Sequence, residues 1–306
     1  MPDRRKVLIT GAAGYIASQI LPEFRERYEL VLLDVTDRGR DGQVVEGVKA
    51  AELISTDRSK YADFFAGVDA VVHLSYKRSS AGGVFGDEVP HIDRFAVELE
   101  NVQMANNVYR CAYDAGVRRV VTASSNHAAD WYEHALIHSR RKDLVSTSDL
   151  PVSDNFYGWA KASYELLAWP YASGNFGRQL EFVHVRIGSP REVDGARHEQ
   201  QQGEQLPAGS GLANLKRNLG AYISPRDITQ LFRRGIEAED ITDENGIPWV
   251  AVYGISGNTR AFWSLETARR VLGYAPEDDS EVKFADAVHR LITGPAARIK
   301  GGRVGE

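Results

Sequence analysis

The chain has 306 residues, 43% of them hydrophobic, which is enough for one large domain or a domain with an appended lobe. Its formal net charge of -5 comes from intermixed acids and bases with no basic stripe, which argues against nucleic acid as a partner. The longest apolar runs, such as VDAVVHL, are strand-sized and fall far short of the ~20 residues a membrane span needs, so no membrane partner is expected.

The opening MPDRRKVLIT enters a strand pattern at once, without a signal peptide's apolar h-region. The single cysteine, Cys111, leaves no internal disulfide and sits in NNVYRCAYDAG, where a small buried filler is expected. Together these lead to the expectation of a cytoplasmic protein.

KVLIT predicts a first strand, followed by a helix over Tyr15–Arg27 and a second strand at LVLLD. SKYADFFAG reads as helical, DAVVHLS as a strand, FAVELENVQMANNVYRCAYDAG as a long helix and RRVVTASS as a strand. A helix carrying Tyr157 and the strand LEFVHVRIGS follow; Pro170 should end or kink that helix just after Trp169. Apolar strands without strict alternation, separated by helices, predict a doubly wound parallel sheet of the α/β class. Residues 190–219 are polar, Gly-rich and non-periodic, far longer than an ordinary connection, and so are expected to be functional or mobile. SPRDITQLFRRGIEAE, the strand WVAVYGIS and two helices near Leu265 and Phe284 complete the chain. Residues 1–188 are therefore read as the cofactor-binding unit. Residues 189–306 are read as mostly a small C-terminal substrate lobe, interleaved with the main sheet.

TGAAGYIA directly follows the first strand and spaces Gly11, Gly14 and Ala17 as G-x-x-G-x-x-A before a helix. Such a loop brings backbone N–H groups close to a pyrophosphate, and Gly11, Ala13, Gly14, Tyr15 and Ile16 are predicted to line it. A glycine that merely ends a strand is the plain alternative, and the strand–loop–helix context weighs against it. Asp34 closes the second strand, about 20 residues on, where a carboxylate accepts both ribose hydroxyls of NAD. Arg38 and Arg40 follow closely and leave the strictness against NADP open. Tyr157 and Lys161 in YGWAK are spaced i, i+4 and share a helix face, either by chance or as a base and its cation.

With these residues in order, the chain resembles the extended short-chain dehydrogenase/reductase family, the NAD-dependent epimerase/dehydratase superfamily, over most of its length. The resemblance implies a Rossmann-type fold, NAD as cofactor and a Ser/Tyr/Lys catalytic set. The upstream serine falls in VVTASSNHA. Of Ser124 and Ser125, the resemblance favours Ser125, directly before Asn-His. Asp57 in ISTDRS, after a third strand, matches the acid at the adenine; HLS places Leu74 and Ser75 beside the cofactor; Asn101 matches a helix asparagine. SSNH, VRIGS and the late VYGISGNTRAFWSLETARRVLGYAP look most similar to uronate dehydrogenases, which oxidise the anomeric carbon of a free hexuronate to an aldarolactone with NAD.

In that family the tyrosine removes the hydroxyl proton. A free phenol has a pKa near 10, so a lysine one turn away and the oxidised nicotinamide are needed to favour the phenolate. The resemblance therefore makes Tyr157 the base, Lys161 its cation and a ribose partner, and Ser125 the residue that orients the hydroxyl. It assigns Asn126, His127 and Ser189 to the sugar, and a loop arginine, Arg191 or Arg197, to a carboxylate, with spacing favouring Arg197. Two departures would suit a more anionic sugar phosphate: Lys77 and Arg78 in SYKRSS, and Arg140, Arg141 and Lys142 in a long insert, where a solvated face is the commoner alternative. Some relatives of uronate dehydrogenases oxidise glucose 6-phosphate with NAD. Nucleotide-sugar epimerases or dehydratases rank behind these, and an NAD-binding regulatory protein is the alternative outside catalysis. His134 and His138 have metal-ligand spacing, but no third ligand is evident in the sequence and no metal is expected. Family members often pair through the helices carrying Tyr157 and Asn101, so a homodimer or higher homo-oligomer is expected.

Overall fold

Strands buried on both faces need no alternation of apolar and polar residues, and that is how these runs fold. In the computed structural model, which describes residues 4–78, 91–193 and 211–293, they are β1 (Lys6–Thr10), β2 (Glu29–Asp34), β3 (Val48–Ala50), β4 (Ala70–His73), β5 (Arg119–Ser125), β6 (Glu181–Ile187) and β7 (Trp249–Gly254). They form one parallel sheet in the order β3-β2-β1-β4-β5-β6-β7. Strand order switches direction between β1 and β4, which opens a crevice at the carboxyl ends of the strands, where ligands bind in such sheets.

Helices cover both faces. On one side α1 (Tyr15–Arg27) and α5 (Pro225–Glu237) bury Ile20, Phe24, Ile228 and Phe232 against Val7, Val121 and Val183. On the other, α2 (Phe95–Asp114) and α3 (Phe156–Ala172) bury Val108, Tyr109, Tyr164 and Ala168 with Leu8, Val120 and Phe182. Cys111 lies in this second layer, buried, its thiol pushed up to about 11 chiefly by burial.

Residues beyond 188 serve both parts of the molecule. β7 and α5 complete the main sheet and its cover, whereas Val193, Leu215 and Leu219 form a separate small cluster with Phe284 and Val288. Leu215 and Leu219 belong to α4 (Gly211–Ala221), a helix that begins inside the stretch expected to be non-periodic. Two further helices are α6 (Glu266–Leu272) and α7 (Ala285–Thr293).

Local expectations meet the structure in three other places. SKYADFFAG folds as two short 3-10 turns, Arg58–Lys60 and Ala62–Phe65, rather than one helix. A third strand does precede Asp57, as β3 at Val48–Ala50, and Asp57 stands at the start of the first of those turns without a side-chain cap. Pro170 does not end α3, which continues to Ala172. The proline removes the N–H that would reach the Leu166 carbonyl, at a point two residues from the end of the helix where Leu166 is exposed. Among the described residues no helix is long and apolar enough to cross a membrane.

Candidate active site

The turn after β1 is built to bring backbone close to a ligand. Gly11 has φ 71°, and a Cβ there would stand 2.7 Å from the Ser75 backbone nitrogen. Gly14 begins α1 without a side-chain cap, so the first N–H groups of that helix are left for a ligand. Asp34, at the end of β2, accepts the Ala13 N–H at 3.0 Å and the Val35 N–H at 2.7 Å, which fixes its carboxylate beside the loop. Tyr15 donates its hydroxyl to the Pro190 carbonyl at 2.9 Å and so ties the loop to the segment after β6.

These residues line one end of a cavity of about 1240 Å³. Gly11, Ala13, Gly14, Tyr15, Ile16 and Asp34 stand at this end, with Arg38 and Arg40 beside them. Leu74 and Ser75 lie midway, and Ser125, His127, Tyr157, Lys161 and Ser189 at the far end. Uncapped helix N–H groups, a close glycine turn and a fixed carboxylate fit the pyrophosphate and ribose of a dinucleotide.

Two residues assigned to the cofactor lie elsewhere. Asp57 is not on the cavity wall: its carboxylate accepts the Ser59 hydroxyl at 2.6 Å on the exposed turn, and the wall there is made by Ala51, Leu53 and Ile54. Asn101 is buried and clamps the peptide groups of Lys77, accepting its N–H at 2.8 Å and donating to its carbonyl at 3.0 Å. It shapes the wall from behind.

α3 is capped by Asn155, whose side chain accepts the Gly158 N–H at 2.9 Å. At Gly158 a Cβ would come within 2.1 Å of the His127 carbonyl, so glycine permits the approach that brings Tyr157 against the turn after β5. Burial raises the Tyr157 phenol above its ordinary pKa, and a hydrogen bond with Ser125 opposes that rise. Lys161 lies one turn on, its ammonium donating to the Ala123 carbonyl at 3.0 Å. Burial lowers Lys161 to about 8, with the charge of Glu98 opposing. Both serines line the cavity, and their partners separate them: the Ser124 hydroxyl donates to Glu165 at 2.7 Å, inside a buried pair that Glu165 makes with Arg186, while Ser125 hydrogen-bonds with Tyr157.

At the far end the His127 ring stands edge-on to Tyr157, with centroids 5.6 Å apart. Asn126 is buried beside it, off the cavity wall, and its Nδ2 has no partner among the described residues. The Ser189 side chain lines the wall while its backbone pairs with Ala221 and Ile223. Arg191 lines the cavity; Arg197 lies outside the described residues. Arg78 and Lys77 also reach the wall, but the Lys77 ammonium is taken by Glu100 at 2.5 Å. The insert cations do not reach it: Arg141 donates to the Ala135 carbonyl, Lys142 pairs with Asp149, and Arg140 is absent from the lining.

The residue the sequence reading missed is Arg217, on α4. Its guanidinium lines the cavity, pairs through Nε with the buried Glu133 at 3.2 Å, and places Nη2 3.5 Å from His127 Nε2. The spacing of Leu212, Leu215 and Leu219 was the available sign of a helix there. His134 and His138 turn to different acids, Asp154 at 2.7 Å and Glu133 at 3.4 Å. Asp130 and Asp154 do bring possible ligand atoms within 4.8 Å of His134, which the sequence did not reveal. The Asn155 amide bridges those two carboxylates at 2.8 and 3.2 Å.

A model of the family described as "NAD dependent epimerase/dehydratase family" matches residues 7–216. The NAD-dependent glucose-6-phosphate dehydrogenase of Haloferax volcanii is 29% identical over 282 residues, 90% of this chain and 94% of that protein. The L-arabinose 1-dehydrogenase (NAD(P)(+)) of the same organism is 28% identical over 280 residues, 90% of this chain and 97% of that protein. A solved structure of a mutated uronate dehydrogenase superposes with a TM-score of 0.69 at 25% identity, covering 97% of this chain and 88% of that one.

Proposed function

This chain belongs to the NAD dependent epimerase/dehydratase family, and on that premise we propose that it is an NAD-dependent sugar oxidoreductase acting on a CH–OH group. Its reaction is oxidation of the anomeric carbon of a free, anionic sugar to the lactone, and a uronate is the leading substrate. The observation that carries this reading is Arg217, which stands in the same cavity as Tyr157 and Ser125 with His127 between.

The uncapped N-terminus of α1 holds the pyrophosphate, and Asp34 accepts the ribose hydroxyls. Bound NAD supplies the acceptor for the hydride that leaves the anomeric carbon. Tyr157 takes the proton of the anomeric hydroxyl, and Ser125 hydrogen-bonds the reacting oxygen and fixes its direction. Lys161, whose ammonium lies 5.9 Å from the Tyr157 ring centroid, is the cation that favours the phenolate against the effect of burial on Tyr157. His127 orients a neighbouring sugar hydroxyl, and Ser189, which lines the same cavity, contacts the sugar. Arg217 has Nε occupied by Glu133 and offers its terminal nitrogens to one carboxylate, the charge of a uronate.

A sugar phosphate is the second reading, favoured by Arg78 and Arg191 on the same wall. The test follows NADH absorbance with glucuronate, galacturonate, glucose 6-phosphate and neutral aldoses, each with NAD and NADP. Turnover of uronates is expected, with Arg217→Gln raising their KM by about 10²-fold and leaving neutral sugars little changed. Turnover confined to the phosphate ester, sensitive to Arg78 and Arg191, would move the reading to the second substrate. Tyr157→Phe should abolish turnover and keep NAD binding; unchanged biological function in that variant would indicate a binding protein instead.

A further inference from the structure

We propose that Tyr76 and Glu98 are positioning residues for the Tyr157–Lys161 pair. Tyr76 packs the base edge-on and covers the ammonium, and the buried Glu98 carboxyl anchors Tyr76 from behind. The proposal rests on the redox reading for its activity assays only.

Tyr76 follows β4, and its peptide neighbour Lys77 is clamped by Asn101, so its backbone is fixed. Its hydroxyl donates to Glu98 Oε1 at 2.5 Å, and the other Glu98 oxygen accepts Asn101 Nδ2 at 3.4 Å. Glu98 is 3% exposed on α2. The Tyr76 ring meets the Tyr157 ring at 88° with centroids 5.5 Å apart, the edge-to-face arrangement that aromatic pairs prefer. The Lys161 Nζ lies 5.1 Å from the Tyr76 centroid, nearer than the 5.9 Å to Tyr157, with Tyr164 beneath at 4.5 Å. The ammonium is thus held among three tyrosine rings, of which Tyr76 and Tyr157 line the cavity with it.

The charges around the pair come from five segments. Tyr157 is faced by Lys161 on its own helix, Tyr76 after β4, Glu98 on α2, His127 and Asp130 after β5, and Arg191 after β6. Glu98 is faced by Tyr76, Asn101, Lys161 and Arg94. Burial pushes the Glu98 carboxyl up, and its contacts with Tyr76, Lys161 and Asn101 oppose this. An ionised Glu98 raises both Tyr157 and Lys161. Both groups therefore shift to lower pH when that charge is removed, and the activity profile moves with them.

The experiment compares wild type, Glu98→Gln, Tyr76→Phe and Tyr76→Ala in the pH profile of kcat/KM and in NADH binding. In parallel, phenolate absorbance of the NAD-loaded proteins, each against its Tyr157→Phe counterpart, reads Tyr157 ionisation without any substrate. Glu98→Gln should move both readouts acidward by on the order of one pH unit. Tyr76→Ala should lose about tenfold or more in kcat with NADH affinity nearly kept, and Tyr76→Phe should recover most of that loss because the ring remains. Tyr76→Phe also strips Glu98 of its hydroxyl donor, so a smaller acidward shift in this variant carries the same test should Glu98→Gln not fold. A Tyr157 midpoint that stays put in the folded variants, or a Tyr76→Phe kcat as low as that of Tyr76→Ala, would overturn the proposal. A wild-type protein that turns over no sugar would sink the redox reading, while the phenolate shift would still decide this one.

Discussion

His127 Nδ1 and Asp130 Oδ2 stand 2.9 Å apart in a buried pair, with the other imidazole nitrogen turned toward Arg217. Burial works to raise the Asp130 carboxyl, but its contacts with His127, Ser153 and His134 together hold it below the ordinary carboxylate value. An ionised carboxylate at Nδ1 keeps the proton there and leaves Nε2 as an acceptor for the arginine or a sugar hydroxyl. The same Asp130 oxygen accepts Asn155 Nδ2 at 2.8 Å, so one residue couples the substrate wall to the start of α3. Asp130→Asn is expected to cut kcat/KM by about 10- to 100-fold through loss of the orienting charge. NADH binding, followed by fluorescence, should change far less.

Asp34 holds the loop through the Ala13 N–H and is itself fixed by the Val35 N–H, while Arg38 and Arg40 wait on the same wall. Its carboxylate would repel a 2′-phosphate, and the arginines would attract one. Asp34→Ser should raise the NADP-to-NAD ratio of kcat/KM by about 10²-fold. An unchanged ratio would remove Asp34 from the ribose site.

Two buried histidines make the fold sensitive to acid. His73 sits beneath the sheet's carboxyl end with Nδ1 2.8 Å from the Thr10 hydroxyl, and His184 stacks on Phe182 at 5.7 Å. Burial, with the Lys161 charge adding, lowers His73 to about 3; burial lowers His184 to about 4. Both stay neutral in the folded protein while the unfolded chain takes up protons below its ordinary 6.5. Their stabilising effect is therefore full above pH 6.5 and lost as pH falls toward 4 and 3, at about 1.4 kcal/mol per pH unit for each. The thermal midpoint should fall over that range, and His184→Leu should reduce the slope.

Phe95 and Leu99 on α2 and Leu166 and Trp169 on α3 are 45%, 46%, 60% and 44% exposed, an apolar set on two helices that pack together. A homodimer closed through these helices is expected. Light scattering should give a dimer mass for the wild type and a monomer mass for a Leu99→Glu/Leu166→Glu variant. A monomeric wild type would reject the seam.

Much of the molecule was legible in the chain because its signals are local. Strand runs, the glycine turn and the place of Asp34 follow from spacing along a few residues, and a helix puts Tyr157 and Lys161 on one face whatever surrounds it. Only the tertiary structure decided the rest. It drew Arg217 to His127 from a segment that looked irregular, and it left Asp57 on an exposed turn. It kept the Arg140–Lys142 cations away from the cavity and seated Tyr76 on Glu98. Those contacts join residues far apart in sequence, and no periodicity along one segment encodes which distant side chain it will meet. The chain alone determined a doubly wound sheet, a dinucleotide turn and a tyrosine–lysine helix; packing decided which charges surround them.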